Sequence, residues 1–304
     1  MPEPRSVVIT GASRGLGLAS ATHMYNLGWR VVAAMRSPEP GLAALRTATG
    51  APADDPRLTA VGLDLTDQAS IAAAAKAIEE AVGAPHALVH NAGVAAAGSV
   101  EELPSEVWEQ IFSTHLFGPV TLTKALLPSM RAAGRGRIVV ISSQGGVRGM
   151  PEISAYSAAK GALERWAESL AGEIAPFGLG VTVLVAGTFD TDIITDKTPS
   201  YRDFNGPYAA HHATIDRRGR FAMRFAAPPQ RFARGLAKAL EDDGPFARHA
   251  VGLDARLLLI CNRLLPAKVL HQVTRVAMGI PRQGALRAGR PETTHRSAEG
   301  EHRD

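Results

Sequence analysis

Residues 6 to 17 read Ser-Val-Val-Ile-Thr-Gly-Ala-Ser-Arg-Gly-Leu-Gly, and this stretch decides the fold. The β-branched run at its start predicts a buried strand, and the periodic apolar residues after it, ending at Gly28, predict a helix. A strand, a glycine-rich turn and a helix in this order aim backbone N–H groups and a helix N-terminus at a pyrophosphate. In that arrangement Gly11 permits the tight turn, Gly15 lets the backbone approach the phosphates, and Gly17 lets the helix pack on the strand.

The next predicted strand, residues 30 to 35, indicates which dinucleotide would bind. An acidic residue at the end of this strand holds the ribose 2′-hydroxyl of NAD, but here the strand ends in Met35-Arg36-Ser37 without a carboxylate. Arg36 and Arg14, which lies in the glycine turn, are suited to a 2′-phosphate because guanidinium groups match phosphate geometry. The sequence therefore favours NADP(H) over NAD(H) as cofactor. The alternative is that both arginines are ordinary solvated surface residues.

Three side chains later in the chain form a candidate proton-transfer group. Tyr156 and Lys160 are four residues apart in Ser-Ala-Tyr-Ser-Ala-Ala-Lys, so they share one face of a helix, and Ser143 precedes Tyr156 by thirteen residues. We expect the Lys160 ammonium to lower the Tyr156 pKa from its usual value of about 10, and the Ser143 hydroxyl to hold a substrate oxygen against the phenol. Such a group moves a proton on and off a carbonyl or alcohol oxygen. Taken alone, the pair is more often a half-buried tyrosine beside a solvated lysine, but the other motifs favour the catalytic interpretation.

The remaining sequence alternates predicted strands and helices, which indicates an α/β fold. Most of the strands are continuous apolar runs, as expected when a parallel sheet is covered by helices on both faces. We therefore predict a single Rossmann-like, doubly wound parallel sheet with a C-terminal helical extension. Strands are predicted at residues 6–10, 30–35, 57–63, 86–90, 136–142, 180–185 and 248–252, and helices at 15–27, 67–82, 105–133, 155–175 and 229–242.

Over about residues 6 to 192, these motifs resemble the short-chain dehydrogenase/reductase family. The resemblance rests on the glycine turn, Asp64-Leu65-Thr66, Asn91-Ala92-Gly93, Ser143, the Tyr156/Lys160 helix and residues 187 to 191. It implies that Ser143, Tyr156 and Lys160 carry the catalysis, and that Lys160 also binds the nicotinamide ribose. The cofactor-binding residues that it implies are Thr10, Gly11, Ser13, Arg14, Gly15, Leu16, Gly17, Arg36, Asp64, Leu65, Asn91, Ala92, Gly93, Tyr156, Lys160, Gly187, Thr188 and Thr191.

Two positions depart from the family pattern. His115 stands where the family has an asparagine that holds a water in a proton relay to Lys160. Neutral histidine both donates and accepts, so His115 is a candidate catalytic residue whose protonation would change between about pH 5 and 8. The equally weighted alternative is a packed core histidine, with the relay routed through water. The family's Pro-Gly after the sixth strand is Ala186-Gly187 here, which we expect to loosen the backbone slightly and to leave the nicotinamide site intact.

Length and composition bound the remaining choices. The chain has 304 residues, 45% hydrophobic and 20% charged, which suits one large domain with a substantial core. One cysteine, Cys261, cannot form an intrachain disulfide, and the sequence suggests neither a signal peptide nor a membrane span, so we expect a cytoplasmic protein. The basic excess behind the net charge of +4 lies in the C-terminal third. That third lacks a compact basic run and base-stacking aromatics, so nucleic acid is not an expected partner. No metal site is predicted.

Two segments outside the motifs invite a functional interpretation. Residues 192 to 228 are irregular and contain five aromatic residues; we interpret them as a substrate lid, with plain packing on the sheet edge as the alternative. Residues 255 to 278 form an amphipathic stretch broken at Pro266, with leucine and valine opposite arginine and lysine. One interpretation is peripheral contact with an anionic membrane. The favoured one is a helix pair that covers the substrate mouth or a subunit interface.

The predicted organisation is a catalytic domain over residues 1–252, an amphipathic extension over 253–281 and a disordered tail over 282–304. The predicted activity is NADP(H)-dependent interconversion of an alcohol and its ketone or aldehyde. The resemblance, which extends to members acting on retinol or hydroxysteroids, implies a small apolar, lipid- or steroid-like substrate and a homo-oligomer. Two alternatives stay open: a nucleotide-binding sensor or scaffold with little turnover, and a reductase of carrier-bound acyl groups. The sequence leaves the substrate, the physiological direction and the oligomeric state undecided.

Overall fold

A seven-stranded parallel sheet forms the centre of the computed structural model, which describes residues 4–191 and 198–285. The strands are β1 (Ser6–Thr10), β2 (Arg30–Met35), β3 (Leu58–Gly62), β4 (Ala87–His90), β5 (Gly136–Ser143), β6 (Leu179–Ala186) and β7 (Phe246–Val251). Their order across the sheet is β3-β2-β1-β4-β5-β6-β7, and every pairing is parallel. The chain therefore reverses its direction of winding between β1 and β4. Ligands of open α/β sheets bind in the crevice at the carboxyl ends of the strands at such a point.

Helices cover both faces of this sheet. The described residues form α1 (Gly15–Asn26), α2 (Pro38–Thr49), α3 (Gln68–Val82), α4 (Ser105–Phe112), α5 (Gly118–Ala132), α6 (Gln144–Val147), α7 (Ser154–Ile174), α8 (Ala209–Met223), α9 (Pro229–Leu240), α10 (Leu253–Leu264) and α11 (Ala267–Met278). A π-helical turn, Ser113–Phe117, joins α4 to α5, and a short 3-10 turn, Ala175–Phe177, follows α7. The predicted doubly wound α/β fold is thus confirmed.

Two hydrophobic cores hold the helices against the sheet. On one face Ile78 of α3, Leu126 of α5 and Leu163 of α7 pack on strand residues. On the other face Met24 of α1 and Phe232 of α9 do the same. Because both faces are buried, the strands are almost continuously apolar. Polar side chains that could take part in catalysis or binding therefore lie mainly at the strand ends and in the loops beyond them.

Three helical predictions need correction. The single helix predicted over residues 105–133 is two helices with the π-helical turn between them, because the chain shifts its hydrogen-bonding register at residues 113–117. Helix α2 was not predicted at all. The predicted irregular loop over residues 192–228 contains α8, which is buried only at His212 and so lacks the apolar stripe that marks a packed helix in sequence. Residues 192–197 of that segment, and 286–304 of the predicted tail, lie outside the described residues.

The C-terminal extension is a pair of helices. Pro266 separates α10 from α11, as the break in the amphipathic pattern predicted. Each helix buries one side chain almost completely, Ala255 on α10 and Leu270 on α11, and leaves a row of large aliphatic residues exposed. Among the described residues, no helix has both the length and the apolarity needed to cross a bilayer.

Candidate active site

The glycine turn between β1 and α1 lines a cleft of about 500 Å³ at the carboxyl edge of the sheet. Gly11 and Gly15 have φ angles of 68° and 54°, in the left-handed region that glycine adopts without strain. A Cβ on Gly17 would lie 2.2 Å from the Gly11 carbonyl oxygen, so only glycine lets α1 approach β1 this closely. The N-terminus of α1 therefore opens into the cleft, as binding of a dinucleotide pyrophosphate requires.

Most of the predicted cofactor residues line this cleft. They are Gly11, Ser13, Arg14, Gly15, Leu16, Gly17, Arg36, Asp64, Leu65, Asn91, Ala92, Gly93 and Thr191. Thr10 lies beneath the cleft, where its Oγ1 accepts hydrogen bonds from the backbone N–H groups of Asn91 and Ala92, at 3.0 Å each. The Asn91 side chain donates in turn to the Thr10 carbonyl oxygen at 2.9 Å. These bonds tie the ends of β1 and β4 together, so the residues present fit a dinucleotide held along a rigid, backbone-lined groove.

Charged side chains lie at the end of the cleft beside β2. Arg14 and Arg36 are both exposed there. Asp64 Oδ1 accepts hydrogen bonds from the hydroxyl and the backbone N–H of Thr66, at 2.7 and 2.9 Å. These bonds lower the pKa of the Asp64 carboxyl, and the charge of Arg36 lowers it further. The end of the cleft beside β2 thus combines two exposed guanidinium groups with one carboxylate that is held in place by hydrogen bonds.

Ser143 and Tyr156 meet at the end of β5. Ser143 is the last residue of β5, Tyr156 lies in the first turn of α7, and their hydroxyl groups are hydrogen-bonded to each other. The Gly145 N–H also donates to Ser143 Oγ, at 3.3 Å. Burial raises the pKa of the Tyr156 phenol above its ordinary value of 10, and the hydrogen bond with Ser143 opposes that shift only in part. The phenol is therefore a protonated group at neutral pH.

Lys160 lies beside the Tyr156 ring but does not control its charge. The Lys160 Nζ is 5.8 Å from the centre of the ring and donates to the Ile141 carbonyl oxygen at 2.6 Å. Burial lowers the Lys160 pKa from 10.5 to about 7, while the charge of Glu164 acts in the opposite direction. The prediction that Lys160 lowers the Tyr156 pKa is wrong for this structure, because the ammonium is directed at a strand carbonyl and burial dominates the phenol.

A buried carboxylate that the sequence analysis missed lies one helical turn beyond Lys160. Glu164 is buried in α7, where it accepts hydrogen bonds from the Ser142 hydroxyl and from Arg248 Nη2, each at 2.5 Å. Residues four apart share a helix face, so the spacing to Lys160 was an available signal. Glu164 thereby links the helix that carries Tyr156 to β5 and β7 and supports the charged form of Lys160.

His115 is buried in the π-helical turn against the same tyrosine. Its ring stacks edge-on to Tyr156, with 5.2 Å between ring centres. Its Nε2 lies 2.7 Å from the Val94 carbonyl oxygen and 3.2 Å from the Val94 backbone nitrogen, and its Nδ1 has no hydrogen-bond partner among the described residues. Burial and then the charge of Lys160 hold the His115 pKa well below 6.5. Burial therefore opposes the change of protonation that the sequence suggested for His115, because it favours the neutral ring.

Asp254, at the start of α10, reaches into the site from the C-terminal extension. Its Oδ2 accepts hydrogen bonds from the Thr188 backbone N–H at 2.7 Å and from Gln144 Nε2 at 2.8 Å. A Cβ on Gly187 would lie 2.1 Å from Asp254 Oδ1, so this glycine makes room for the carboxylate. We expected the backbone after β6 to be loosened because Ala186 replaces a proline. Instead, the Asp254 side chain holds this segment through its hydrogen bond with the Thr188 N–H.

A second group of buried charges ties α8 to the core. His212 is fully buried; its Nδ1 bonds Glu152 Oε1 at 2.7 Å and its Nε2 bonds Glu102 Oε1 at 2.9 Å. We call Glu102, Glu152 and His212 the latch. Arg202 Nε lies 2.8 Å from Glu152 Oε2, as an ion pair without hydrogen-bond alignment. Glu152 itself has a φ of 65°, an unusual backbone for a residue other than glycine, four residues before Tyr156.

The latch shifts the ionisation of its own members. For His212, burial lowers the pKa, but hydrogen bonds to Glu102 and Glu152 outweigh burial and raise it above 6.5. For Glu102, burial raises the pKa, but hydrogen bonds from His212 and from the backbone N–H groups of Ser99 and Asp203 bring it down to about 2. The two acidic partners of His212 thus favour the imidazolium form of its ring. These partners are 110 and 60 residues from His212 in the sequence, so no local pattern could have revealed the latch.

Comparisons with known proteins agree with this architecture. A family model described as short chain dehydrogenase matches residues 5–202. The crystal structure of a short-chain dehydrogenase from Streptomyces avermitilis is 34% identical to this chain, with a TM-score of 0.76 over 92% of this chain and 100% of the other. A metagenomic short-chain oxidoreductase in complex with NADP is 27% identical, with a TM-score of 0.63 over 81% and 96% of the two chains. The 3-ketodihydrosphingosine reductase of Bacteroides thetaiotaomicron is 28% identical over 91% of this chain and 99% of its own.

Proposed function

From its membership of the short-chain dehydrogenase/reductase family, we propose that this chain is an NADP(H)-dependent enzyme that interconverts an apolar, lipid-like alcohol and its carbonyl compound. The family membership itself establishes an oxidoreductase that acts on CH–OH groups with a nicotinamide dinucleotide. The observation that carries the proposal is the meeting of Ser143, Tyr156 and Lys160 at the end of β5. This group lies behind the glycine-turn cleft: Gly93 lines the cleft, and a Cβ on it would lie 2.7 Å from the His115 ring that packs on Tyr156.

The preference for NADP(H) rests on charge at the cleft. Arg14 and Arg36 would bind the 2′-phosphate, since β2 ends in Met35 without the carboxylate that suits an NAD ribose. The backbone of the glycine turn would hold the pyrophosphate, with Asn91 keeping the groove open by its bonds to β1. The relative solved with NADP supports this choice. When bound, NADPH supplies the hydride that a carbonyl carbon accepts.

Ser143 and Tyr156 would handle the substrate oxygen. The hydrogen bond between their hydroxyl groups marks the position that a carbonyl oxygen would share with both. Because the Tyr156 pKa is raised, the phenol carries its proton at neutral pH, as a proton donor to a reduced carbonyl must. Oxidation of an alcohol would instead begin with a tyrosinate, which burial disfavours. At neutral pH the buried phenol is therefore in the protonated form that carbonyl reduction would use.

Lys160 would bind and position rather than act on substrate. One of the three N–H bonds of its ammonium points at Ile141, and the other two are available for the nicotinamide ribose that the family resemblance assigns to it. With a pKa of about 7, it is partly protonated at neutral pH, and Glu164 favours the charged form. Neutral His115 would offer its unpartnered Nδ1 to a water-mediated proton path.

The lipid-like substrate rests on the apolar lid and on one relative. Ring centres of Phe204 and Tyr208 lie 5.6 and 6.1 Å from His212, so the latch fixes aromatic side chains next to the segment that leads into α7. The relative named 3-ketodihydrosphingosine reductase, by its name, reduces the ketone of a long-chain lipid, and this chain aligns with nearly all of it. We therefore propose a ketone with a long apolar body as substrate class.

Turnover with purified protein tests the proposal. NADPH oxidation is followed with ketones and aldehydes of increasing chain length, and activity is expected to rise with chain length. Tyr156→Phe should lower kcat by about 10²- to 10⁴-fold while NADPH still binds, since the lost group is a proton donor. Tyr25→Phe is the matched control, because Tyr25 is a buried tyrosine that hydrogen-bonds Asp55 far from the cleft.

Other results would select the alternatives. Tight NADPH binding without turnover on any carbonyl would identify a nucleotide sensor. Activity on carrier-linked acyl groups alone, lost as salt is added, would identify a carrier-dependent reductase docked through the basic C-terminal third. Activity that Tyr156→Phe leaves unchanged would contradict the mechanism itself.

A further inference from the structure

We propose that α10 and α11 form a face that docks on an anionic lipid surface. The face consists of two rows of exposed aliphatic side chains, which we call the docking face: Leu253, Leu257, Ile260 and Leu264 on α10, and Val269, Val273 and Val276 on α11. It goes beyond the proposed reaction, because none of these residues belongs to the cleft or to the Ser143–Tyr156 group.

The rows are regular and strongly exposed. Along α10 they recur at intervals of four, three and four residues, and along α11 at four and three, so each row lies on one side of its helix. The seven side chains are 46% to 72% exposed. Isolated exposed leucines are ordinary on protein surfaces, but a row of exposed aliphatic side chains on each of two consecutive helices is typical of an interaction site.

The charge around the docking face has one sign. Residues 253–285 contain five Lys/Arg residues and one Asp/Glu residue. The acidic residue is Asp254, whose carboxylate is engaged by Thr188 and Gln144. Arg256, Arg263 and Lys268 are exposed. An apolar row flanked by cations suits a membrane interface, where aliphatic side chains enter the acyl boundary and Lys/Arg side chains reach lipid phosphates.

A second copy of the chain is a poorer occupant. In a two-fold dimer the same patch meets itself. The docking face would then bring its arginines and lysine against the partner's, and the one carboxylate of residues 253–285, Asp254, is already engaged by Thr188 and Gln144. Like charges across an interface oppose association. The sequence-based preference for a subunit interface is thus less well supported than the membrane alternative.

The docking face also has a structural connection to the site. Asp254 fixes α10 to the Thr188 backbone, two residues after β6, and Arg218 of α8 donates to the Val276 and Ala277 carbonyl oxygens at 3.2 and 2.5 Å. The exposed Phe221 and Phe225 follow at the end of α8, with 5.4 Å between their ring centres. Docking would therefore bring α8, which lies in the proposed lid segment, close to the lipid surface.

Vesicle co-sedimentation of the full chain tests this docking. The probes are vesicles of phosphatidylcholine alone and vesicles with about a third phosphatidylglycerol. We expect binding to the anionic vesicles that decreases as salt is raised. Leu257→Asn should weaken binding to these vesicles about five- to tenfold, because docking would remove the exposed half of the Leu257 side chain from water. Leu27→Asn is the matched control, because Leu27 lies at the end of α1, outside the docking face. Its side chain is 55% exposed, close to the 53% of Leu257.

A second variant tests the charge independently. Lys268→Gln should weaken binding about fivefold, whereas Arg135→Gln, another exposed cation, should leave it unchanged. Thermal unfolding of each variant verifies that it is folded, and Val273→Asn replaces Leu257→Asn if the latter is not. No binding to anionic vesicles, or binding that Leu257→Asn and Val273→Asn do not weaken, would overturn the proposal. So would a dimer in sedimentation that either variant dissociates, since that result assigns the face to a second copy.

Discussion

Replacement of His212 by glutamine tests whether the latch is a charged attachment of α8. Both ring nitrogens lie within hydrogen-bond distance of a carboxylate, Glu152 at 2.7 Å and Glu102 at 2.9 Å. A neutral imidazole has one N–H, so both bonds are satisfied only when the ring is an imidazolium. Glutamine is close to histidine in length and donates to a carboxylate, but it carries no charge.

The size of the effect follows from what each carboxylate keeps. Hydrogen bonds to charged groups contribute about 1.5–3 kcal/mol each, and removal of one partner of a buried ion pair costs about 3–5 kcal/mol. Glu102 keeps the N–H groups of Ser99 and Asp203, at 2.8 and 3.0 Å, and Glu152 keeps Arg202 at 2.8 Å. Since neither carboxylate is left alone, we expect His212→Gln to destabilise α8 by about 2–3 kcal/mol, below the cost of an uncompensated pair.

The effect depends on pH with a definite sign. The His212 pKa is raised in the folded protein, so its contribution is complete below 6.5 and is lost as pH rises through the raised value. The Glu102 pKa is lowered from 4.5 to about 2, so its contribution is complete above 4.5 and is lost as pH falls toward 2. The latch is therefore strongest between pH 4.5 and 6.5, and the difference between His212→Gln and wild type should shrink in alkali.

Hydrogen exchange with mass spectrometry measures this effect where it acts. At pH 6, exchange-competent opening of residues 209–223 should increase about 30- to 150-fold in His212→Gln, since each 1.4 kcal/mol is a factor of ten. His211→Gln is the matched control, because it makes the same substitution at the preceding residue of α8, where the buried Nε2 of His211 has no hydrogen-bond partner among the described residues. Equal exchange in both variants, or a difference that grows between pH 6 and 9, would refute the argument.

Three further predictions concern the cleft and its supports. Arg36→Ala should weaken NADPH binding about tenfold and leave NADH binding unchanged in fluorescence titrations, since a charge-assisted bond to the 2′-phosphate is lost; an unchanged ratio would remove the basis for NADP preference. Asp254→Ala should raise the KM for NADPH several-fold with a smaller change in kcat, because the Thr188 N–H loses its acceptor; an effect on kcat alone would contradict that role. Glu164→Gln removes the charge that raises the Lys160 pKa, so any fall in activity tied to Lys160 deprotonation should move to a lower pH than about 7 in pH–rate profiles.

The fold could be predicted from sequence because its signals are local. Continuous apolar strands, the glycine turn and the helix break at Pro266 each follow from backbone geometry within a few residues. Helix α8 was missed because its single buried side chain, His212, is held by ion pairs and not by an apolar stripe. Asp254 and the latch were missed for the same reason: their partners are distant in the chain, and long-range charge pairing leaves no periodic pattern.

The electrostatic expectation for Tyr156 failed for a different reason, and its failure bears on function. A lysine ammonium held close to a phenol oxygen lowers the pKa of the phenol, because it favours the ionised form. Here both are buried, and burial acts on them in opposite directions: it raises the pKa of the phenol and lowers the pKa of the ammonium to about 7. Near neutral pH the pair is therefore best described as a protonated phenol beside a lysine that gains or loses its proton readily. Under the proposed function, Tyr156 would give its proton to a new alkoxide, and Lys160 would be the group through which that proton is replaced.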